Sequence, residues 1–587
     1  MQFAPTENAS KNIEEKWGGK GMKFKKFTST ALVLTLAGSL LAACSGNNSG
    51  SNASESAGNS SAPASGSASA KPTGPQELVI NYRTDPPALD VSIAESSSSF
   101  TILGAISEGL YRLDKDLQPQ PALAAELPQI SPDGLTYTVK LRDGITWADG
   151  TPVTAQDFVY SFRRTLDPAT KATYAFMVAW IKGGEAVMTA KTPEDVKKAQ
   201  EALGAKALDE KTLEIKLERP VAFFTSTLAF LNFYPQKQEF VDKWGNEKSG
   251  ADADKVLGAG PFVLKTWDHG QKLVLEKNPK YWDAANVKLD KVTLNVVKDN
   301  ATGLNLYDTG AADYTVLDGT QYMQLKDNKE LVRKKELVTG YVNFQHTKVP
   351  AFKNVKIRQA YTAAIDRQGL VDTVLQGNTA AVGYTPSGNL DGNGQEFRKV
   401  AGDLEQPFDA AKAKELLAQG LAEAGLKEMP ELTIIGDDNG TGPKVLEFLA
   451  GQWEQNLGVK VKTSPMPHAN RLELELNKNY EIVSTLWGAD YNDPMTWLDM
   501  YLTGGSFNTQ DWSSAEYDKL VKGAQSDTNL ENRAKSLVEA EKILMNEAAV
   551  SPLYYRTLNI MVKPKVKGLI QPPYGVEFEL KWTSIEE

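Results

Sequence analysis

Apolar and polar residues alternate along Leu135-Thr-Tyr-Thr-Val-Lys-Leu141, the period-two pattern of a strand with one face buried. Leu213-Glu-Ile-Lys-Leu217 and Leu273-Val-Leu275 predict strands on the same ground. Asp143-Gly144 and Asp149-Gly150 predict turns, because glycine reaches the backbone angles that tight turns need. At Thr154 the period changes. Thr154 and Asp157 form a capping-box pattern, Phe158 and Phe162 fall one turn apart on a single helical face, and Asp167-Pro168 stops the helix. Further helices are predicted over about 355–367, 410–421 and 530–546. The two periods are interspersed from 76 to 587, so the body is mixed α and β, without a fixed-period repeat.

The N-terminal segment has a different character. Lys23, Lys25 and Lys26 precede the uncharged apolar run Ala31–Ala43. That run is too short for a permanent anchor, which needs about 20 apolar residues, and it has the layout of a secretory signal peptide. It ends in Leu41-Ala42-Ala43-Cys44, with the only cysteine of the chain directly after small residues. This resembles the lipobox of bacterial lipoproteins, which implies a diacylglyceryl group on the Cys44 thiol and Cys44 as the new N-terminus. Two acyl chains satisfy the two-signal rule for stable membrane attachment. Residues 1–21 lack signal character, and Trp17-Gly18-Gly19-Lys20-Gly21 before Met22 suggests translation from Met22, with 22–43 as the signal peptide. The stretch 44–75 is rich in Ser, Gly, Asn and Ala and buries nothing. It is expected to be a flexible tether with a reach of about 30 Å.

Composition removes whole classes of function. Lys+Arg 64 against Asp+Glu 74 gives a net charge of −10, which repels phosphate backbones and argues against a nucleic-acid partner. One cysteine permits no internal disulfide and no cysteine-based metal site. The three histidines, His269, His346 and His468, lie far apart in the chain, so no His-x-x-x-His metal pair exists. Nucleophile-elbow, zincin and complete Walker motifs are missing from the sequence. Gly440-Thr441-Gly442-Pro443-Lys444 has a proline where a phosphate loop needs an N–H, and reads as a turn before a helix. Asn389-x-Asp391-x-Asn393-Gly394 resembles a calcium loop but has Val400 at the twelfth position. The chain is therefore not read as an enzyme, and no cofactor or metal is expected.

A set of segments resembles the extracytoplasmic peptide-binding proteins of ABC importers, the oligopeptide- and dipeptide-binding family (solute-binding protein family 5). They are Pro86-Pro87-Ala88-Leu89-Asp90, Glu108-Gly109-Leu110-Tyr111, Asp133-Gly134-Leu135-Thr136-Tyr137, Leu141-Arg142-Asp143-Gly144 and Asp149-Gly150-Thr151-Pro152-Val153. Gly260-Pro261-Phe262, Lys277-Asn278-Pro279-Lys280-Tyr281-Trp282, Ile357-Arg358-Gln359-Ala360 and Val562-Lys563-Pro564 follow in the same order. The resemblance implies an α/β fold, a two-lobe periplasmic-binding-protein-like clamp with an extra insert domain, three domains in all. Lobe 1 would comprise 76–108, 219–340 and 553–587, the insert 109–218, and lobe 2 341–552. It further implies a monomer that captures short peptides between its lobes and docks on a membrane permease, with ATP hydrolysis left to partner chains. The location implied is the outer face of the cytoplasmic membrane, or the periplasmic or outer-membrane side in a two-membrane cell.

Leu486-Trp487-Gly488-Ala489-Asp490-Tyr491-Asn492-Asp493-Pro494 is the segment that bears on the ligand. In the family this aspartate pairs with the peptide's α-ammonium, a group every free peptide carries, so Asp490 is the implied anchor. Asp493-Pro494 suits a helix cap and leaves Asp490 free. The backbone at Trp487 and Gly488 is implied to bond the peptide, while the Trp487 side chain either lines a pocket or fills the core. Glu95 either contacts ligand or is simply solvated, and Tyr554 and Tyr555 either border the cleft or pack in the core. Ser484 and Gly442 stand where long-peptide members carry basic residues for the ligand's C-terminus, with Lys444 and Arg471 as possible replacements. The same clamp could hold a signalling peptide, a glycan or a metal chelate instead, and a surface hydrolase is the more distant alternative.

Overall fold

The computed structural model describes residues 74–586 apart from Ser506. The signal peptide, the Met22 start, the lipid cysteine Cys44 and nearly all of the tether lie outside the described residues.

One eleven-stranded sheet runs through the body. Its long strands are β1 (Glu77–Tyr82), β2 (Phe262–Asp268), β3 (Lys272–Lys277), β4 (Lys291–Val296), β5 (Tyr314–Leu317), β6 (Leu331–Phe344), β7 (Leu432–Asp437), β8 (Val461–Met466), β9 (Ile482–Gly488) and β10 (Ser551–Val562). Their order across the sheet is β8-β7-β9-β6-β10-β5-β1-β4-β3-β2. Pairs β1–β4, β1–β5, β7–β8 and β7–β9 are parallel, and the other neighbours are antiparallel. A separate four-stranded sheet, Gln129–Ile130, Thr136–Lys140, Thr212–Lys216 and Ala205–Asp209 in that order, belongs to the expected insert.

Two main cores pack against the sheet, beside two small clusters around Tyr307 and Tyr480. The smaller main core is built from Phe344, Phe352, Tyr361, Trp453 and their neighbours between residues 342 and 482, closed by Leu553 and Tyr554. The larger takes in the N-terminal half of the body and also Trp497, Tyr501, Leu537 and Leu544. The expected lobe limits at 340/341 and 552/553 fall inside β6 and β10, so two continuous strands carry the chain between the two sides. Along them the register is broken. Lys335 pairs with Thr557 and Thr339 with Tyr555, so Glu336, Leu337 and Val338 stand opposite the single residue Arg556. A bulge of this kind re-aims side chains and bends the strand.

The predicted elements are present with telling differences. Helix Ala155–Leu166 opens with the Asp157 carboxylate accepting from the Thr154 N–H at 2.7 Å and its hydroxyl at 3.0 Å. Leu530–Asn546 is a single helix, and Ala410–Ala424 runs one turn further than expected before Gly425 closes it with φ 68°. The helix expected over 355–367 is two, Val355–Ala363 and Arg367–Thr373. Asp366 breaks it by capping the second, its carboxylate accepting from Gly369 N–H at 2.8 Å. Asp391 spends its carboxylate on the backbone N–H groups of Asn393 and Gln395 at 2.8 and 3.0 Å, which makes the calcium-like segment a turn.

Asp493 does more than cap a helix. Pro494 precedes the short helix Met495–Leu498, whose Met495 N–H donates to Asp493 at 2.9 Å. The same carboxylate forms a fully buried two-point pair with Arg533 of the long helix, at 2.7 and 2.8 Å. Removing one partner of such a pair leaves the other charge buried and unmatched. Arg533→Met is therefore expected to destabilise the protein by about 3–5 kcal/mol in urea unfolding. Adding Asp493→Leu should recover part of that loss; strictly additive losses would contradict this account.

Candidate binding site

β9 supplies the floor of the site. β6 pairs with its whole length, Ile482–Gly488, but β7 on the other side meets only Ile482 and Val483. From Ser484 onward that second edge carries no strand among the described residues, so backbone N–H and C=O groups are open to a ligand strand. The six consecutive residues Thr485–Asp490 line a cavity of about 310 Å³. Its opposite wall comes from remote parts of the chain, among them Glu95, Phe100, Tyr174, Phe230 and Glu577.

Asp490 sits where the chain leaves β9. Ala489 N–H bonds Leu337 O at 2.9 Å, and Asp490 N–H reaches the Thr496 hydroxyl at 3.2 Å. The Trp487 indole N–H donates to Thr496 O at 2.8 Å, and the Asp493–Arg533 pair locks the turn from below. The Asp490 side chain is only 7% exposed. Among the described residues its carboxylate accepts one side-chain hydrogen bond, from the Tyr174 hydroxyl at 2.9 Å, and no Lys or Arg is within ion-pair distance. Burial pushes its carboxyl up to about 7, only partly offset by Tyr174. Burial and the nearby carboxylates push the Tyr174 phenol well above its ordinary value, so it stays a donor. Asp499 is likewise pushed up to about 7, first by burial and then by the charge of Asp490.

The other expected residues divide. Trp487 both lines the cavity and packs, half-buried, edge-on against Phe507 at 5.2 Å. Gly488 is exposed on the cavity floor, and a Cβ there would meet only Val338 at 3.4 Å, so its bare backbone is not demanded by packing. Glu95 is exposed, lines the cavity and accepts from the Thr173 hydroxyl at 2.8 Å. Tyr554 and Tyr555 are outside the cavity wall. Tyr554 fills the space over Gly340, where any Cβ would lie 2.3 Å from its ring. The Tyr555 hydroxyl donates to Gly383 O at 2.9 Å and accepts from Val382 N–H at 3.2 Å, so both tyrosines are core residues.

Two ion clusters stand in the wall, and of their residues the sequence pointed only to Arg471. Arg471 reaches the cavity, unlike Lys444, Gly442 and Ser484, but it is tied to Asp437 at 2.8 Å, to the Thr485 hydroxyl at 2.8 Å and to Glu475. The strand bulge directs Glu336 and Val338 into the cavity, where Glu336 holds Arg556 at 2.5 Å and Lys334 at 3.3 Å. Burial pulls the Lys334 ammonium below its ordinary range. A separate concavity of about 430 Å³ opens between Trp282 and Trp582, but its buried cations are already paired, Lys581 with Asp283 at 2.9 Å and Arg112 with Glu108 at 3.0 Å.

This arrangement has close counterparts. Residues 118–509 match the bacterial extracellular solute-binding proteins, family 5, middle region. The dipeptide-binding protein DppE of Bacillus subtilis is 33% identical over 516 residues, 87% of this chain and 92% of its own length. The oligopeptide-binding protein OppA of the same organism is 31% identical over 560 residues, 93% of this chain and 96% of its own. The peptide-bound structure of Listeria monocytogenes OppA superposes with a TM-score of 0.77 at 36% identity, covering 88% of this chain and all of that one. The mixed α/β body is thus the two-lobe clamp of the periplasmic-binding type, and the chain belongs to family 5 of the bacterial extracellular solute-binding proteins.

Proposed function

We propose that this protein captures short peptides by their free α-ammonium and backbone and delivers them to an ABC permease, anchored to the membrane by lipid on Cys44. The observation that carries the reading is Asp490, a buried carboxylate without a cation among the described residues, placed where the open edge of β9 ends. A peptide lying along Thr485–Gly488 presents its backbone to that edge and its ammonium to Asp490. The names of the relatives, dipeptide- and oligopeptide-binding, support the same ligand class. Among the described residues no helix is long and apolar enough to cross a membrane. The cavity residues bind and orient, and no bond-breaking step is assigned to them.

The test compares free tri- to pentapeptides with the same pool N-acetylated. Free peptides at about 100 times their Kd should stabilise the protein by about 2.7 kcal/mol, and acetylation should abolish the shift. Asp490→Asn should weaken binding by about 3–5 kcal/mol, a loss of a hundredfold or more. A shift that survives acetylation, or the Asn variant binding normally, would contradict the reading.

Acid should weaken binding, because the ammonium pairs only with ionised Asp490. With its carboxyl at about 7, the ionised fraction falls roughly 10- to 30-fold between pH 7.5 and 5.5, and Kd should rise by that factor. The empty protein behaves in the opposite sense. Between the usual value of 3.8 and about 7, folded Asp490 holds a proton that the unfolded chain has released. Stability of the empty protein therefore falls as pH rises through that window, by up to about 4 kcal/mol. At pH 8 the ligand-free Asp490→Asn variant should melt higher than the parent while failing to respond to peptide.

A further inference from the structure

The charges facing the cavity do not balance. Its three cations, Lys334, Arg471 and Arg556, are all spent inside the protein: Lys334 and Arg556 on Glu336, and Arg471 on Asp437 and Glu475. Three further carboxylates of the wall, Glu95, Asp490 and Glu577, have no Lys or Arg within ion-pair distance among the described residues. Two of these, Glu95 and Asp490, are held by adjacent residues. The Thr173 hydroxyl donates to Glu95 at 2.8 Å and the Tyr174 hydroxyl to Asp490 at 2.9 Å, so both carboxylates face the same end of the cavity. Glu577 borders that end too, its carboxylate 3.5 Å from the Ser97 hydroxyl, two residues along from Glu95.

A peptide without charged side chains brings one ammonium to this end and its carboxylate to the other. One ammonium neutralises Asp490 and leaves Glu95 facing a cavity that closure deprives of water. Like charges confined near one another in reduced dielectric repel, and a second cation relieves the repulsion. Resting on the peptide reading above, we propose that the preferred ligands carry a second positive charge near their amino end, a Lys or Arg side chain in the first two residues, received by Glu95 while Asp490 holds the α-ammonium. Asp490 sets the register and Glu95 discriminates. Because Glu95 is exposed in the empty site, the preference is moderate and weakens with salt.

Isothermal titration of the purified protein at pH 7.5 with Lys-Ala-Ala and Ala-Lys-Ala, each against its norleucine counterpart, tests this directly. Norleucine keeps the methylene stem and deletes the charge. At least one lysine peptide should bind about three- to tenfold more tightly than its counterpart at low salt. The ratio should fall toward one in 0.5 M NaCl and in Glu95→Gln. Equal affinities within both pairs, or a ratio unmoved by Glu95→Gln, would overturn this proposal while leaving peptide binding intact. Failure of all four peptides to bind would overturn the peptide reading and this proposal together.

Discussion

A buried carboxylate that has no cation of its own is the constraint around which the rest of this protein is arranged. Ionised Asp490, buried away from water, is unstable by itself, and among the described residues no arginine relieves it. Instead it fixes the position of the charge. Thr496 holds the backbone, Tyr174 supplies a single hydrogen bond, and the Asp493–Arg533 pair pins the turn three residues on. The contrast between Asp493 and Asp490 is instructive. Both are buried acids in one turn, but the first has its guanidinium and serves the fold, while the second has no cation among the described residues and on the proposed reading receives the ligand's.

The same residue also ties distant segments together. Asp490 belongs to the segment after β9, whereas its hydrogen-bond donor Tyr174 comes from the insert, and neighbouring Tyr491 stacks on Phe223 at 4.4 Å. These contacts bridge segments far apart in the chain, between which β6 and β10 run continuously. The bulge opposite Arg556 lies on those strands and turns Glu336 and Val338 into the cavity. A ligand that gains more from the assembled site than from either half shifts the population toward the closed arrangement, without a separate switch.

Much of the fold was legible because it rests on local pattern. The capping box at Thr154–Asp157, the helix 530–546 and the alternation before Leu141 require no knowledge of distant chain. Asp490 was legible only through a motif, since nothing in its neighbours' chemistry states that its side chain is buried without a cation. Tyr174, Lys334 and Arg556 escaped because they meet the site from other segments of the chain, and periodicity carries no information about such pairing. For Tyr554 and Tyr555 the sequence left cleft and core both open, and packing explains the core placement. Adjacent strand residues point to opposite faces, and here the absent side chain of Gly340 and the backbone at 382–383 claim one each. The break at Asp366 escaped because an apolar face continuing across it masked a new N-cap.

Proton release on binding tests the central claim most directly. Calorimetric titration of a tight peptide at pH 6.5, in two buffers of different ionisation enthalpy, counts the protons that leave as the complex forms. With Asp490 at about 7 in the empty site and ionised in the complex, between about half and one proton should be released, and none in Asp490→Asn. No proton release from the parent protein, or an equal release from the Asn variant, would mean that the ammonium does not pair with Asp490.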